Sequence, residues 1–397
     1  MPSRRDLLKA GGGALAVAAA GVGARWGAWT PAVHSPAENT WPQHRYGPGN
    51  TGYSPDASPP GSNPVAVQRY DTGESANTVV VDEDRMYVGT EHSVWAFERG
   101  DDRHSEWDEP GNGWWLAVGS DAVVAAGRGR VTGFDPTTGE VLWERRPEAS
   151  AYGVLVGERT AYVGFRGRLV AYHLESGERQ WVLDADGEVF PGVSDGRLVV
   201  GGDGLRAFEP RGPLRGVLAD APRKVWETDE PFGGTHPVDT GDHTLVGTQT
   251  GLQTLTCGLA AVGSDGGIDW QVELGNNAGR VAFDGERAYA VSMRYDDGES
   301  GVHYSDDTTL HALDPATGDE LWSFQRGGWF SSPVVADGTV YVGEAGSPNG
   351  NGNLHALDAE TGDLLWTFDR AEGVNALAAV GDVLYVATDG GRVLALA

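Results

Sequence analysis

Short apolar runs bounded by turn residues recur through most of the chain. Arg85-Met-Tyr-Val-Gly-Thr90, Thr160-Ala-Tyr-Val-Gly164 and Thr339-Val-Tyr-Val-Gly343 are alternating or apolar, and Asp-Gly-type turns flank them. That is the pattern of buried or half-buried strands. The residues from 331 to 368 read most fully. Ser332 to Ala336 is predicted as strand A, Asp337-Gly338 as a hairpin turn and Thr339 to Gly343 as strand B. Asn353 to Asp358 follows as strand C and Leu364 to Phe368 as strand D.

Each such unit closes on a tryptophan: Trp107, Trp143, Trp181, Trp226, Trp270, Trp322 and Trp366. The phrase is clearest in Ala312-Leu-Asp-Pro-Ala-Thr-Gly-Asp-Glu-Leu-Trp322 and Ala356-Leu-Asp-Ala-Glu-Thr-Gly-Asp-Leu-Leu-Trp366. It returns as Gly133-Phe-Asp-Pro-Thr-Thr-Gly-Glu-Val-Leu-Trp143 and Ala171-Tyr-His-Leu-Glu-Ser-Gly-Glu-Arg-Gln-Trp181. Successive tryptophans lie 36, 38, 45, 44, 52 and 44 residues apart, a period that marks a repeat architecture. Four antiparallel strands per repeat make a propeller blade, so the expected fold is an all-β propeller. The Thr-Gly pair supplies a residue that adopts positive φ cheaply. The tryptophan is a rigid wedge between blades, and truncating one typically costs about 3–5 kcal/mol.

Hairpins near Tyr87, Val124, Tyr162, Val199, Leu245, Tyr289, Tyr341 and Tyr385 predict eight blades, with seven as the alternative. The last unit stops at Val393-Leu-Ala-Leu-Ala397 without a fourth strand. Pro64-Val-Ala-Val-Gln-Arg-Tyr-Asp-Thr-Gly73 aligns with the closing strands and places Gln68 where the tryptophan stands elsewhere. An N-terminal strand is therefore expected to complete the C-terminal blade and remove its open edge. In a circular repeat, function is expected on a face of the ring rather than in a local catalytic motif.

Trp41-Pro-Gln-His-Arg-Tyr-Gly-Pro-Gly-Asn-Thr-Gly-Tyr-Ser-Pro55 resembles the leading segment of propellers built from pyrroloquinoline-quinone (PQQ) repeats. The Ala-x-Asp-x-x-Thr-Gly-x-x-x-Trp phrase resembles that family's tryptophan-docking motif. The resemblance covers residues 41 to 397. Two units depart from it, around Trp226 by an insertion (Pro210 to Arg223) and around Trp270 by a shortened turn. It implies the propeller fold; the family includes quinoprotein dehydrogenases, BamB-like outer-membrane assembly lipoproteins and many exported propellers. Fold does not choose among these.

Acidic residues number 57 against 29 basic ones, for a net charge of −28, and only Lys9 and Lys224 are lysine. Such a surface repels nucleic-acid phosphates and anionic lipid. The composition resembles that of proteins from high-salt organisms, haloarchaea above all, where a Debye length of about 3 Å at molar salt screens the self-repulsion. A haloarchaeon has no outer membrane, so the BamB likeness would there carry fold only. Residues 1–24 read as a targeting segment. Ser3-Arg-Arg-Asp-Leu-Leu-Lys9 resembles a twin-arginine export signal, and Ala10 to Ala24 is too short and Gly-rich for a membrane span. Residues 25–40 read as a linker and 41–397 as the propeller. An extracytoplasmic, monomeric protein without a transmembrane span is expected. Cys257 is the single cysteine, which excludes an intrachain disulfide and reads as strand filling.

The chain carries no Gly-rich phosphate loop, no His-Glu-x-x-His, no Gly-x-Ser-x-Gly and no zinc spacing. No catalytic residue and no metal ligand set is assigned. Quinoprotein dehydrogenases typically carry adjacent cysteines over the quinone, and one cysteine cannot form that pair. PQQ is therefore the alternative rather than the expected cofactor. The acidic loop Asp296-Asp-Gly-Glu-Ser-Gly301 with Asp306-Asp307 invites calcium, but its spacing fits no calcium loop. What remains is the channel mouth. The residues opening strand A, blade by blade, are Asn77, Trp114-Trp115, Tyr152, Phe190, His236, Asn276-Asn277, Trp329-Phe330 and Asn375. Aromatics interleaved with amides suit a sugar, peptide or aromatic ligand; the other reading is a plug of the channel. Two long B–C loops, Met293 to Thr308 and Glu344 to Asn353, are expected beside Trp329. The expected function is non-catalytic binding or scaffolding of a protein or envelope component, with a PQQ-dependent oxidoreductase or another enzyme using the funnel as the alternative.

Overall fold

Asp337 and Gly338 both adopt positive φ, 45° and 66°, the backbone of a two-residue hairpin turn. Asp195 and Gly196 repeat this at 49° and 64°. Turns of this kind fold the apolar runs into antiparallel meanders. The computed structural model describes residues 36–100, 105–209, 222–228, 235–250, 256–275, 277–298, 301–345, 352–369 and 372–397. The targeting segment 1–24, the linker up to residue 35, Asn276 and most of the insertion after Glu209 lie outside them, as do parts of both long B–C loops.

Eight blades form an eight-bladed, all-β propeller. They occupy residues 78–110, 115–145, 151–188, 190–227, 238–275, 277–327, 329–369 and 374–396, and are numbered here in that order. Blade 8 takes its fourth strand from Ala66–Asp71. In blade 3 the middle strands are one run, Thr160–His173, which turns at Gly167 (φ 81°). Its first half pairs with Ala151–Val156 and its second with Arg179–Glu188. In blade 7 the inner strand is split into Trp329–Phe330 and Val334–Ala336. Pro333 lies between the two pieces and has no N–H to give a ladder.

The closing pair keeps the register of the repeat. Trp107, Trp181, Trp226, Trp270, Trp322 and Trp366 stand opposite Ala96, Ala171, Ala207, Ala261, Ala312 and Ala356, and Trp143 stands opposite Gly133. Gln68 stands opposite Ala395, and Tyr70 opposite Val393. Val65 and Ala397 exchange two backbone hydrogen bonds of 3.1 Å at the far end.

Apolar side chains gather between consecutive blades rather than around one centre. Leu155, Tyr162, Leu198 and Phe208 join blades 3 and 4; Tyr289, Leu310, Val340 and Leu357 join blades 6 and 7. The docking tryptophans lock these junctions. The indole N–H of Trp107 donates to Pro136 O (3.4 Å), that of Trp143 to Leu174 O (2.6 Å), that of Trp270 to Pro315 O (3.0 Å) and that of Trp322 to Ala359 O (3.1 Å), each in the next blade. The glycine of the next blade's turn lies against the same indole. A Cβ on Gly362 (φ 76°) would stand 2.6 Å from Trp322 Cδ2. Glycine is therefore required there twice over, by φ and by contact. Cys257 is buried within Thr256–Val262.

The long segment after Met293 differs from the loop expected. Blade 6 continues its hairpin outward, with Tyr295 opposite Tyr304 and Gly298 opposite Gly301. Tyr295 on the outgoing strand and Val302 and Tyr304 on the return are the strand-favouring residues of this segment.

Candidate functional site

Residues 41–54, the segment with the family-like Trp41 to Pro55 pattern, run around the inside of the ring. Trp41 exchanges backbone hydrogen bonds with Val81 of blade 1 (2.7 and 2.8 Å). Pro42 O accepts from Val118 N (2.6 Å), Pro48 O from Val193 N (2.8 Å), Gly49 O from Asp239 N (2.9 Å), Thr51 O from Phe283 N (2.8 Å) and Gly52 O from Val335 N (2.9 Å). Ser58 N donates to Gly381 O of blade 8 at 2.7 Å. Residues 41–54 thus satisfy inner-strand backbone in blades 1, 2, 4, 5, 6 and 7, and Ser58 carries the path of this strap on to the A–B turn of blade 8. Its turns use Tyr46 (φ 72°), Asn50 (φ 53°) and Gly52 (φ 61°). Asn50 Nδ2 also donates to Pro191 O (3.1 Å) and Pro237 O (3.0 Å), fixing the strap to blades 4 and 5.

The strap bonds the far ends of the inner strands, next to the A–B turns. The residues that open those strands line the other end, and His44 reaches from the strap towards them. Its ring is edge-on to Trp115 at 4.8 Å and lies 5.8 Å from His236. Trp115 and His236 are 5.2 Å apart, Phe190 and His236 4.7 Å, and Tyr152 and Phe190 6.0 Å. The indole N–H of Trp115 donates to Ala151 O at 3.1 Å. Sequence-predicted residues of blades 2 to 5 thus form one aromatic and imidazole cluster at the axis.

The other predicted residues lie apart from that cluster. Asn375 Nδ2 donates to Ser75 Oγ (3.1 Å) and Ala76 O (3.0 Å), and Ser75 Oγ donates to Asn77 Oδ1 (3.4 Å). These amides tie blade 8 to blade 1. Trp114 is 37 % exposed, with Arg128 5.3 Å over its ring. Trp329 is 38 % exposed and pairs with Ala345, whereas Phe330 is fully buried against Phe324 and His355. Asn277 opens its strand opposite Met293.

Three basic residues of the channel were not singled out from sequence. His44 and Arg45 come from the strap, and Arg280 from the inner strand of blade 6. Burial, with the nearby Arg45 and Arg280 charges, lowers the His44 pKa to about 3. Burial, then His44 and Arg45, holds His236 well below its ordinary value. Burial and Arg280 bring Arg45 down to about 10. Arg45 Nε donates to Asn50 O at 3.1 Å, and the Arg280 guanidinium donates to Phe330 O. His44 and Arg45 are the one histidine and one arginine of residues 41–54, a weak signal, and Arg280 carries none. Both histidines are therefore neutral at pH 7, offering rings and hydrogen bonds rather than charge.

The cavity beside Trp41, His44 and Arg45 measures ≈ 10 Å³, room for about one water. A tricyclic quinone does not fit there. Among the described residues no cluster of His, Cys, Asp and Glu is arranged to hold a metal ion, and no helix is long and apolar enough to cross a membrane.

The sequence model of one family, the outer membrane protein assembly factor BamB, matches residues 92–242 and 258–397. Among solved structures, BamB from Moraxella catarrhalis superposes with a TM-score of 0.63 at 16 % identity, covering 84 % of this chain and 99 % of that one. Sqt1 from Saccharomyces cerevisiae also gives 0.63, at 12 % identity, covering 84 % and 98 %. At these identities the likeness is one of fold. No curated protein matches the sequence.

Proposed function

The chain belongs to the family of the outer membrane protein assembly factor BamB, and on that premise we propose a non-catalytic propeller that binds or scaffolds a protein or envelope component through its channel-mouth face. The observation that carries this reading is the contrast between neighbours. Trp114 and Trp329 stay 37 % and 38 % exposed, while Trp115 is half-buried and Phe330 is fully buried. Large aromatics left open in a protein with many better-packed places for them are the residues that most often anchor a partner. The family's named role in assembly supports a protein as the partner. The strap favours binding over chemistry, because its side chains occupy the axis where a funnel enzyme would hold its substrate.

The test is capture from the native envelope at high salt. Trp114→Ala with Trp329→Ala should reduce partner recovery at least tenfold and leave melting nearly unchanged. Full recovery with the double variant would remove this face from consideration. A loss of melting comparable to a buried aromatic, about 3–5 kcal/mol, would mean that the rings pack rather than bind. The export reading rests on Arg4 and Arg5. Replacing both with lysine should leave precursor in the cytoplasm, and undiminished export would count against the twin-arginine route.

A further inference from the structure

The repeat places an apolar residue two positions after most docking tryptophans: Leu183, Val272, Phe324 and Phe368. Leu183 and Phe324 are 7 % and 8 % exposed, filling the outer part of their junctions. After Trp143 the same position is Arg145. At that junction, between blades 2 and 3, the outer strands leave an open groove of ≈ 310 Å³. Its floor is Val170, Tyr172 and Val182, and its walls carry Arg145, Arg146, Arg168 and Arg179.

Four guanidiniums around one groove are unexpected in a chain where acids outnumber bases 57 to 29. Their partners are unequal. Arg146 pairs with Glu144 at 2.6 Å. Arg145 donates to two backbone carbonyls, Glu144 O at 2.8 Å and Ser176 O at 3.2 Å. Arg168 stands across the strands from Asp184 but makes no ion pair with it, and its guanidinium lies 5.9 Å from the Phe165 ring. Arg168 and Arg179 are exposed, and neither has a carboxylate partner among the described residues. All three of Arg168, Arg145 and Arg179 lie close enough to act on the buried Tyr172 hydroxyl, lowering a pKa that burial raises.

The register gives the groove a direction. Val170 pairs with Val182 and Tyr172 with Arg179, while Arg168 lies two residues before Val170. Alternate residues share a face, so Arg168, Val170 and the Tyr172–Arg179 pair form one row. At about 3.3 Å per residue, the two cationic ends are roughly 13 Å apart with an apolar midpoint. An extended peptide has the same spacing. Carboxylates at positions i and i+4 would reach the two ends while an apolar side chain at i+2 meets the valines. Arginine's planar fork is suited to carboxylates.

We propose that the groove between blades 2 and 3 docks an extended acidic segment of a partner protein, with carboxylates four residues apart and an apolar residue midway. It lies on the outer strands and does not depend on the channel-mouth reading. The test uses the full chain and a fluorescent peptide carrying Glu at i and i+4 and Val at i+2. A second peptide replaces both glutamates with lysine. Anisotropy is read at the lowest salt that leaves melting unchanged. The glutamate peptide should bind at least tenfold more tightly than the lysine peptide, and Arg168→Gln with Arg179→Gln should abolish that difference. Arg145→Phe, which installs the filler used after Trp322 and Trp366, should preserve melting and also abolish binding. Equal binding of the two peptides, or unchanged binding by both variants, would overturn the proposal. So would binding of inorganic phosphate with the same arginine dependence while the peptide fails, since that marks a small-anion site.

Discussion

The indole N–H of Trp366 donates to the carbonyl oxygen of Pro60 at 3.2 Å, across 306 positions of sequence. Trp107, Trp143, Trp270 and Trp322 find this acceptor in the next blade's C–D turn. Blade 8 has no such turn, because its fourth strand is Ala66–Asp71 from the other end of the propeller. The segment leading into the closing strand supplies the carbonyl instead. Tyr341 repeats the substitution, donating to Pro59 O at 3.2 Å where Tyr289 donates to Ala359 O at 3.3 Å.

A chain lacking residues up to Asp71 should therefore lose more than one strand. It exposes the Arg392–Leu396 edge and strands the Trp366 and Tyr341 donors. Exposed edges recruit other chains, so light scattering should show aggregation and the melting temperature should fall. A truncated chain that stays monodisperse with unchanged melting would refute the closure.

Two glycines separate backbone strain from contact. Gly338 (φ 66°) has open space around its Cβ position, whereas Gly362 (φ 76°) faces Trp322. Gly338→Ala should cost about 1–2 kcal/mol for the left-handed backbone alone. Gly362→Ala should cost a further ~1–3 kcal/mol of overpacking. Denaturant unfolding of both variants checks the order, and equal losses would contradict tryptophan docking.

The channel histidines set an acid sensitivity. Folded His44 titrates near 3 and His236 well below 6.5, whereas both titrate near 6.5 once unfolded. Between those values the unfolded chain binds more protons, so stability is full above about pH 6.5 and falls as pH drops towards 3. Melting temperature should decline from pH 7 to 5, above the range in which ordinary carboxylates titrate. His44→Gln with His236→Gln should flatten the decline; an unaltered slope would place the sensitivity elsewhere.

Salt should act in the opposite sense to its effect on ordinary surface ion pairs. With a charge of −28, lowering salt from about 1 M to 0.1 M lengthens screening from ~3 to ~10 Å. The surplus carboxylates then repel across the surface. The melting temperature should fall, and a flat profile would remove the high-salt reading.

Blade boundaries were legible because they rest on local chemistry. Asp337-Gly338 fixes a turn, Val-Tyr-Val-Gly alternation fixes a buried strand, and Thr-Gly with tryptophan fixes the docking. The closing strand was also legible, since Gln68 keeps the phrase's place even without the indole. The strap was not. Residues 41–54 have no periodicity, and their partners are backbone groups of six blades. Arg45 and Arg280 meet only through ring geometry, which sequence spacing cannot express. The groove at Arg145 becomes visible once Leu183, Val272, Phe324 and Phe368 are aligned as fillers, a comparison between repeats rather than a motif.

The strap has a consequence for the order in which the molecule is made. Residues 41–54 leave the ribosome before any blade, yet their hydrogen-bond partners extend to Val335. Synthesis at about 5–20 residues per second leaves that segment waiting tens of seconds for its last acceptor. That segment has its full set of acceptors only once blade 7 has been made. Until then an arc of blades lacks the strap's later cross-links. Only a chain made at least through Val335 can carry the whole set of strap bonds that join blades 1, 2, 4, 5, 6 and 7.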